Sequence, residues 1–270
     1  MDKNEILEAL SRSGYLFESE TAKNLQQMGF FVETNQSIKD PITNKSREID
    51  LLAEYYRRYT KKNKRCSAKI KFVFEIKNNV LPLVLLTEYQ YTPNSDFDEM
   101  FKIVQTKPKG VDYEGASDFQ EQLFPSGEER KLFTQYCSFQ KKKQNEELMA
   151  IHPEELHSGL SKITQYAEEE FFEWNSREMS EEESYYRNFI YIPVVLITND
   201  LFELTIEDDN STTLRNTTLS RLVYNYHFRE EPKSAIVYIV TKAGLDFFLD
   251  DMIKIEESIL KSMVKQRIDL

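Results

Sequence analysis

Lys71-Phe72-Val73-Phe74-Glu75-Ile76-Lys77 is the stretch on which the fold turns. Its aromatic and β-branched run reads as a strand, and the strand's period of two puts Glu75 and Lys77 on the same face. Taken alone, a Glu-x-Lys pair on an amphipathic strand is an ordinary surface ion pair. The upstream segment Glu48-Ile49-Asp50-Leu51-Leu52-Ala53 changes its meaning, because it reads as a second strand. If the two pair as a hairpin, Asp50 comes close to Glu75. Two carboxylates a few ångströms apart repel each other unless a cation lies between them. A hard divalent ion with oxygen ligands resolves the conflict, Mg²⁺ being the usual candidate with Mn²⁺ as substitute. Glu48 shares Asp50's face by alternation and is the rival ligand. Glu18, on a preceding helix, is placed to supply a further carboxylate through water or to a second ion.

Working outward, Ser11 or Ser13 caps an expected first helix running through Met28, with Leu16, Phe17, Thr21, Ala22, Leu25 and Met28 as its apolar stripe and Gly29 as its stop. Three strands are expected at Phe30–Asn35, Glu48–Tyr55 and Lys69–Asn78, the first two joined by a Pro41–Ser46 turn and the last two by a long basic connection. Pro82–Thr87 reads as a continuation or a short extra strand. From Glu88 to Arg130 the polar, Pro- and Gly-containing text reads as an insertion with little regular structure, and residues 88–150 as a whole lack a counterpart in a minimal core. Lys131–Lys141 is a further candidate strand. Leu156, Leu160, Ile163, Ala167, Phe171 and Trp174 trace a helix. Eight Glu and one Arg between Glu168 and Ser184 read as a solvated face and linker. Phe189–Thr198 reads as an interior strand, Asp208–Ser220 as a polar loop and Ser234–Val240 as a strand. Thr241 caps a closing helix. The expectation is one domain over residues 1–270, of α/β or α+β class, with a mixed central sheet flanked by helices.

Composition narrows the function classes. The 270 residues are 40% hydrophobic and 30% charged, too apolar for a disordered chain. A net charge of −11 means that any nucleic-acid contact is local. Two cysteines, Cys66 and Cys137, cannot build a disulfide framework. The start lacks a signal-peptide pattern, and the apolar runs fall far short of the roughly 20 residues that cross a bilayer. A cytoplasmic protein without membrane contact is expected. His152, His157 and His227 are scattered, which argues against zinc, and no nucleotide-binding P-loop or serine-hydrolase elbow occurs.

Ser13-Gly14-Tyr15-Leu16-Phe17-Glu18, Gly29-Phe30-Phe31-Val32, Ser46-Arg47-Glu48-Ile49-Asp50-Leu51-Leu52-Ala53 and Phe74-Glu75-Ile76-Lys77 together resemble the PD-(D/E)XK restriction-endonuclease-like nuclease superfamily. The resemblance covers about the first 80 residues; the later helix with Lys162 and Gln165 and the strand Tyr191–Ile197 fit the family topology through weaker motifs. Ile49 replaces the proline that names the motif, without removing a ligand. The resemblance implies a restriction-endonuclease-like core with Asp50 and Glu75 as metal ligands, joined by the main-chain carbonyl of Ile76. It implies Lys77 as the catalytic lysine, Glu18 as the auxiliary acid, and metal-dependent phosphodiester hydrolysis with DNA favoured over RNA, in defence or repair. Flanking carboxylates favour the ammonium form of Lys77 and a neighbouring metal opposes it, which leaves a general-base role open.

Substrate contact needs positive charge. Arg57, Arg58, Lys61, Lys62, Lys64 and Arg65, continuing to Lys69 and Lys71, form a stretch with no acid, interleaved with Tyr55, Tyr56 and Tyr59. As a connection between the two catalytic strands it would project beside the site, its cations on phosphates and its tyrosines on bases; the alternative is a solvated loop. Lys141-Lys142-Lys143 is a lesser basic patch. The rival to cleavage is a nucleic-acid-binding or scaffolding module that keeps the nuclease fold without activity. A homo-oligomer or a partner protein is compatible with either.

Overall fold

The computed structural model describes residues 2–39, 46–61, 64–90, 97–106, 131–142, 146–176 and 185–268. Its first departure from expectation is at Gly14. Instead of one helix there are two, α1 (Lys3–Ser13) and α2 (Tyr15–Gln27), divided by Gly14 at φ +91°. Only glycine takes that left-handed conformation without strain. Phe17, Thr21, Ala22 and Leu25 form the buried stripe of α2, as their spacing predicts.

Strands β1 (Phe31–Lys39), β2 (Ser46–Lys61) and β3 (Lys64–Lys77) form an antiparallel meander. The basic stretch is therefore not a connecting loop. The β2–β3 ladder runs unbroken from Leu51↔Phe74 to Lys61↔Lys64, so Arg57 to Arg65 make the far end of a long hairpin, with Lys69 and Lys71 along its body. The Pro41–Ser46 turn falls mostly, and Lys62 wholly, outside the described residues. β4 (Leu83–Glu88), β5 (Lys102–Thr106), β6 (Phe133–Lys141) and β7 (Leu148–Ile151) follow. Helix α3 (Glu154–Asn175) then leads into β8 (Tyr185–Ile197), which lies parallel to β3 over its whole length.

The expected insertion is part of the sheet. β5 pairs with the first half of β8, and β12 (Glu231–Thr241) takes the second half of the same edge. β4 and β6 pair with each other. The text hid this because β5 is only five residues long, and its buried Val104, like Met100 and Phe101 just before it, is flanked by polar sequence. The polar loop expected over Asp208–Ser220 is also overturned. β9 (Leu201–Ile206) and β10 (Thr212–Thr217) form a hairpin, and β11 (Leu219–Phe228) pairs with β12. β10 is exposed up to its half-buried last residue, Thr217, so it carries no apolar alternation to betray it. α4 (Leu245–Ile268) closes the chain after a 3-10 turn capped by Thr241.

Among the described residues the result is a mixed twelve-stranded sheet with a core on each face. One core joins Phe72, Phe74 and Ile76 of β3 to α2 and α4. The other joins Val73 and Val195 to Leu160, Ile163 and Ala167 of α3. Strand β3 thus runs between helices on both sides, and its odd-numbered positions lie under α3. No helix among the described residues is long and apolar enough to cross a membrane.

Candidate active site

The row Lys69, Lys71, Val73, Glu75 and Lys77 alternates with the apolar row packed under α2 and α4. At its carboxyl end the strand delivers Glu75 and Lys77 side by side, with Lys77 Nζ 2.7 Å from Glu75 Oε1. Asp50 joins them through a break in β2. The β1–β2 register runs Thr34↔Leu51 and Gln36↔Ile49, skipping Asn35 and Asp50; Asn35 lies at φ +53°, and the β2–β3 ladder begins only at Leu51. The break also puts Ile49 and Leu52, three residues apart, into the same core. Released from regular pairing, Asp50 turns its carboxylate onto β3, where Oδ2 accepts the Ile76 N–H at 2.7 Å. The alternation that made Glu48 a rival ligand is lost at the same place: Glu48 is exposed opposite Ser37.

A second lysine comes from α3. Lys162 Nζ lies 3.2 Å from Asp50 Oδ1 and 2.5 Å from Glu75 Oε2. What lets the helix come so close is Gly159. A Cβ there would lie 2.5 Å from Glu75 Oε1 and 2.6 Å from Cδ and Cγ. Gly159→Ala should therefore destabilise the protein by about 1–3 kcal/mol through overpacking, despite the ~1 kcal/mol that alanine gains in helix propensity. Urea denaturation measures this, and a neutral or stabilised variant would mean that Glu75 has room to yield.

A polar brace holds the end of β3. Asn78 Nδ2 donates to the Ser11 and Arg12 carbonyls at the end of α1, and Gly14 approaches Asn78 closely enough that a Cβ would lie 3.3 Å away. Asn79 Oδ1 accepts from the backbone N–H groups of Thr198 and Asn199 just past β8. The α1–α2 corner is thereby anchored beside Lys77, one turn before Glu18.

The electrostatics follow from this crowding. Burial raises the pKa of Glu18, and the Asp50 and Glu75 charges raise it further, with Lys77 and Lys162 opposing. Burial by itself would lower the pKa of Lys77. The charge and hydrogen bond of Glu75, with Asp50 and Glu155 beyond, reverse that and hold it above the usual lysine value. Lys77 is therefore an ammonium in the protein as it stands, a donor rather than a base.

The donor set suits a hard cation in one respect. Asp50 and Glu75 each aim an oxygen at a single positive centre, the Lys162 ammonium. Mg²⁺ is commonly held by one or two carboxylates while it keeps several waters. Among the described residues no three His, Cys, Asp or Glu side chains are grouped as a metal site, so Glu18 stands outside the carboxylate pair.

The basic stretch is placed elsewhere. Arg57 lies seven residues along β2 from Asp50, about 23 Å at the rise of a strand. Its guanidinium pairs with Glu256 and Glu257 of α4 and lies over the Tyr55 ring. Lys69 and Lys71 are buried, Lys69 near Glu54 and Lys71 bound to Tyr166 and Glu170. Arg58 is exposed and Arg65 half-buried, both near the hairpin end with Lys61 and Lys64. The stretch does not project beside Asp50 and Glu75; the strands continue through it because Cys66, Ala68 and Ile70 have a core to enter. The acidic run is a solvated face only in part: Glu169 and Glu173 are exposed, Glu170 is half-buried, and residues 177–184 lie outside the described residues. Glu168 is buried, accepting from Tyr226 Oη at 2.6 Å and pairing with Lys102 at 2.6 Å.

Sequence reasoning singled out Lys162 and Gln165 only as weak motifs and missed Gly159. A glycine inside an otherwise apolar helical stripe was the available signal, since it marks close approach of another group. No family model matches the chain, and no curated protein or solved structure matches it.

Proposed function

We propose that this protein is a Mg²⁺-dependent nuclease that hydrolyses phosphodiester bonds, with DNA the favoured substrate. The observation that carries the reading is the meeting of Asp50, Glu75 and Lys77 at the carboxyl end of β3. Open α/β sheets commonly place their ligands beyond the carboxyl ends of strands. The order of elements supports it further. With α1 and the intervening β4–β7 set aside, the sequence of α2, an antiparallel meander, α3 and then a strand parallel to the third is the arrangement expected of a restriction-endonuclease-like core.

In this reading Asp50, Glu75 and the Ile76 carbonyl would hold the ion. When bound, Mg²⁺ polarises a phosphoryl oxygen and acidifies a coordinated water. The Lys77 ammonium donates to the attacking water and opposes the charge that grows on the phosphate. Glu18, at the margin, holds water against the site. Arg58 and its neighbours at the hairpin end would meet phosphates far from the scissile one, adding salt-dependent affinity without sequence preference.

Incubation of the pure protein with DNA and RNA, in Mg²⁺ or Mn²⁺ and in chelator, tests this. Cutting is expected in either metal, none in chelator, and none by Asp50→Asn at unchanged thermal stability. Persistent cutting by Asp50→Asn would remove the site from the chemistry.

One observation favours a second reading. The charges of Asp50 and Glu75 are already matched by Lys77 and Lys162. A nucleic-acid-binding or scaffolding module with the same fold would bind in a salt-sensitive manner, indifferent to chelator and to Asp50→Asn.

A further inference from the structure

The nuclease motif accounts for one lysine at the carboxylates and leaves the other without a role. Lys162 comes from a different element than Lys77, and its ammonium engages both acids at once, at 3.2 Å from Asp50 Oδ1 and 2.5 Å from Glu75 Oε2. Its side chain is only 11% exposed. Lys77 already pairs with the other oxygen of Glu75, so a merely structural salt bridge to that acid does not require Lys162. A positive group drawn to two carboxylates occupies the place from which a divalent ion would neutralise them. We propose that Lys162 is a tethered counter-ion that competes with the divalent cation for Asp50 and Glu75, so that the ion binds as the ammonium is displaced. This regulation of the site rests on the metal-dependent reading above.

The helix makes the competition reversible. Gly159 fixes the backbone of α3 against the Glu75 side chain, and Lys162, three residues on, lies on the same helical face. Its four-carbon stem can withdraw by rotation about its own bonds while the helix stays in place. Without the ion, the lysine relieves the repulsion between a half-buried and a buried acid. With it, a doubly charged centre that takes both carboxylates and water displaces a singly charged one. The apparent affinity for metal is then the intrinsic affinity reduced by the fraction of molecules whose carboxylates are free.

Calorimetric titration of the full chain with Mn²⁺, alongside melting curves in chelator and in Mn²⁺, tests the proposal without reference to cleavage. Lys162→Met keeps the stem and removes the charge. It is expected to bind Mn²⁺ about tenfold more tightly than the native chain, as it would if the native carboxylates are free about a tenth of the time. In chelator its melting temperature should fall, and Mn²⁺ should raise it by more than it raises that of the native protein. Asp50→Asn should abolish the binding heat in both backgrounds. Equal or weaker Mn²⁺ affinity in Lys162→Met, with Asp50-dependent binding retained, overturns the counter-ion while leaving the metal site standing. The absence of Asp50-dependent binding in both chains overturns the two readings together. Should Lys162→Met fail to fold in chelator, Lys162→Gln, uncharged but able to donate to one acid, carries the same comparison.

Discussion

Lys77→Met is expected to slow DNA cleavage by about 10²–10³-fold, the usual cost of removing one donor aimed at developing negative charge, while leaving the fold nearly as stable. The two effects separate because of where the amine lies. Its side chain is 28% exposed, and the acid it contacts retains Lys162 on its other oxygen. Glu75 is buried but stays paired with Lys162, so loss of the hydrogen bond from the partly exposed Lys77 costs about 1 kcal/mol. The chemical contribution is not so limited, since the Glu75 charge keeps the amine protonated and pointed at the carboxylates. Lys77→Arg should recover only part of the rate, because a planar fork cannot reproduce a compact point charge at the same place. Single-turnover cleavage at saturating Mg²⁺, with urea melts run in parallel, measures both quantities. A rate within a few-fold of the native protein would show that the amine serves the fold alone.

The parts of this site legible in the sequence are those that obey the strand period. Glu75 and Lys77 share a face because they are two apart, and their proximity follows from that alone. Asp50 was legible as a neighbour of Glu75, but not as a carboxylate bonded to the Ile76 N–H, since the interrupted pairing at Asn35 and Asp50 leaves no mark in the text. Lys162 and Gly159 lie more than 80 positions downstream, on a helix whose stripe predicts its buried face but not the strand beneath it. The division of α1 from α2 was written in Gly14, and the expected single helix passed over it.

The largest misreading concerned charge. The basic run Arg57–Lys71 reads as a phosphate-contacting projection or a solvated loop, and the acidic run beginning at Glu168 as a solvated face and linker, because a charged residue in isolation is cheapest in water. Folding instead pairs several of these charges, the two runs meeting each other at Lys71 and Glu170. Lys71 meets Glu170 and Tyr166, Lys69 lies near Glu54, and Arg57 reaches the acids of α4. A one-dimensional charge count registers the surplus of each run and is blind to pairing across 100 residues. Helix α3 is bound to the sheet by an apolar patch at its middle and by ion pairs toward its carboxyl end. The helix that carries Lys162 over the carboxylates is therefore held in place by charges that looked like a linker.

The deepest of those pairs gives the second large effect. Glu168→Leu is expected to destabilise the protein by about 3–5 kcal/mol, the range for breaking a buried ion pair from one side. Lys102 is 3% exposed, and with Glu168 gone its ammonium retains the Glu99 carbonyl, at 2.8 Å, as a hydrogen-bond partner. Burial already lowers the Lys102 pKa, with the Glu168 charge opposing. The unfolded chain, whose lysine titrates normally, therefore binds more protons than the folded one above the folded pKa. Stability attributable to this group rises with pH through that window. Losing Glu168 drives the folded pKa lower still, so the deficit of the variant is greatest in acidic and neutral solution and shrinks as the solution becomes alkaline. Urea titrations at several pH values should show that convergence. Lys102→Met combined with Glu168→Leu removes the stranded charge as well and should regain most of the loss, short of the ~1 kcal/mol for the hydrogen bond that Tyr226 no longer makes. A double variant as unstable as the single one would place the cost in packing beneath α3 rather than in the buried ammonium.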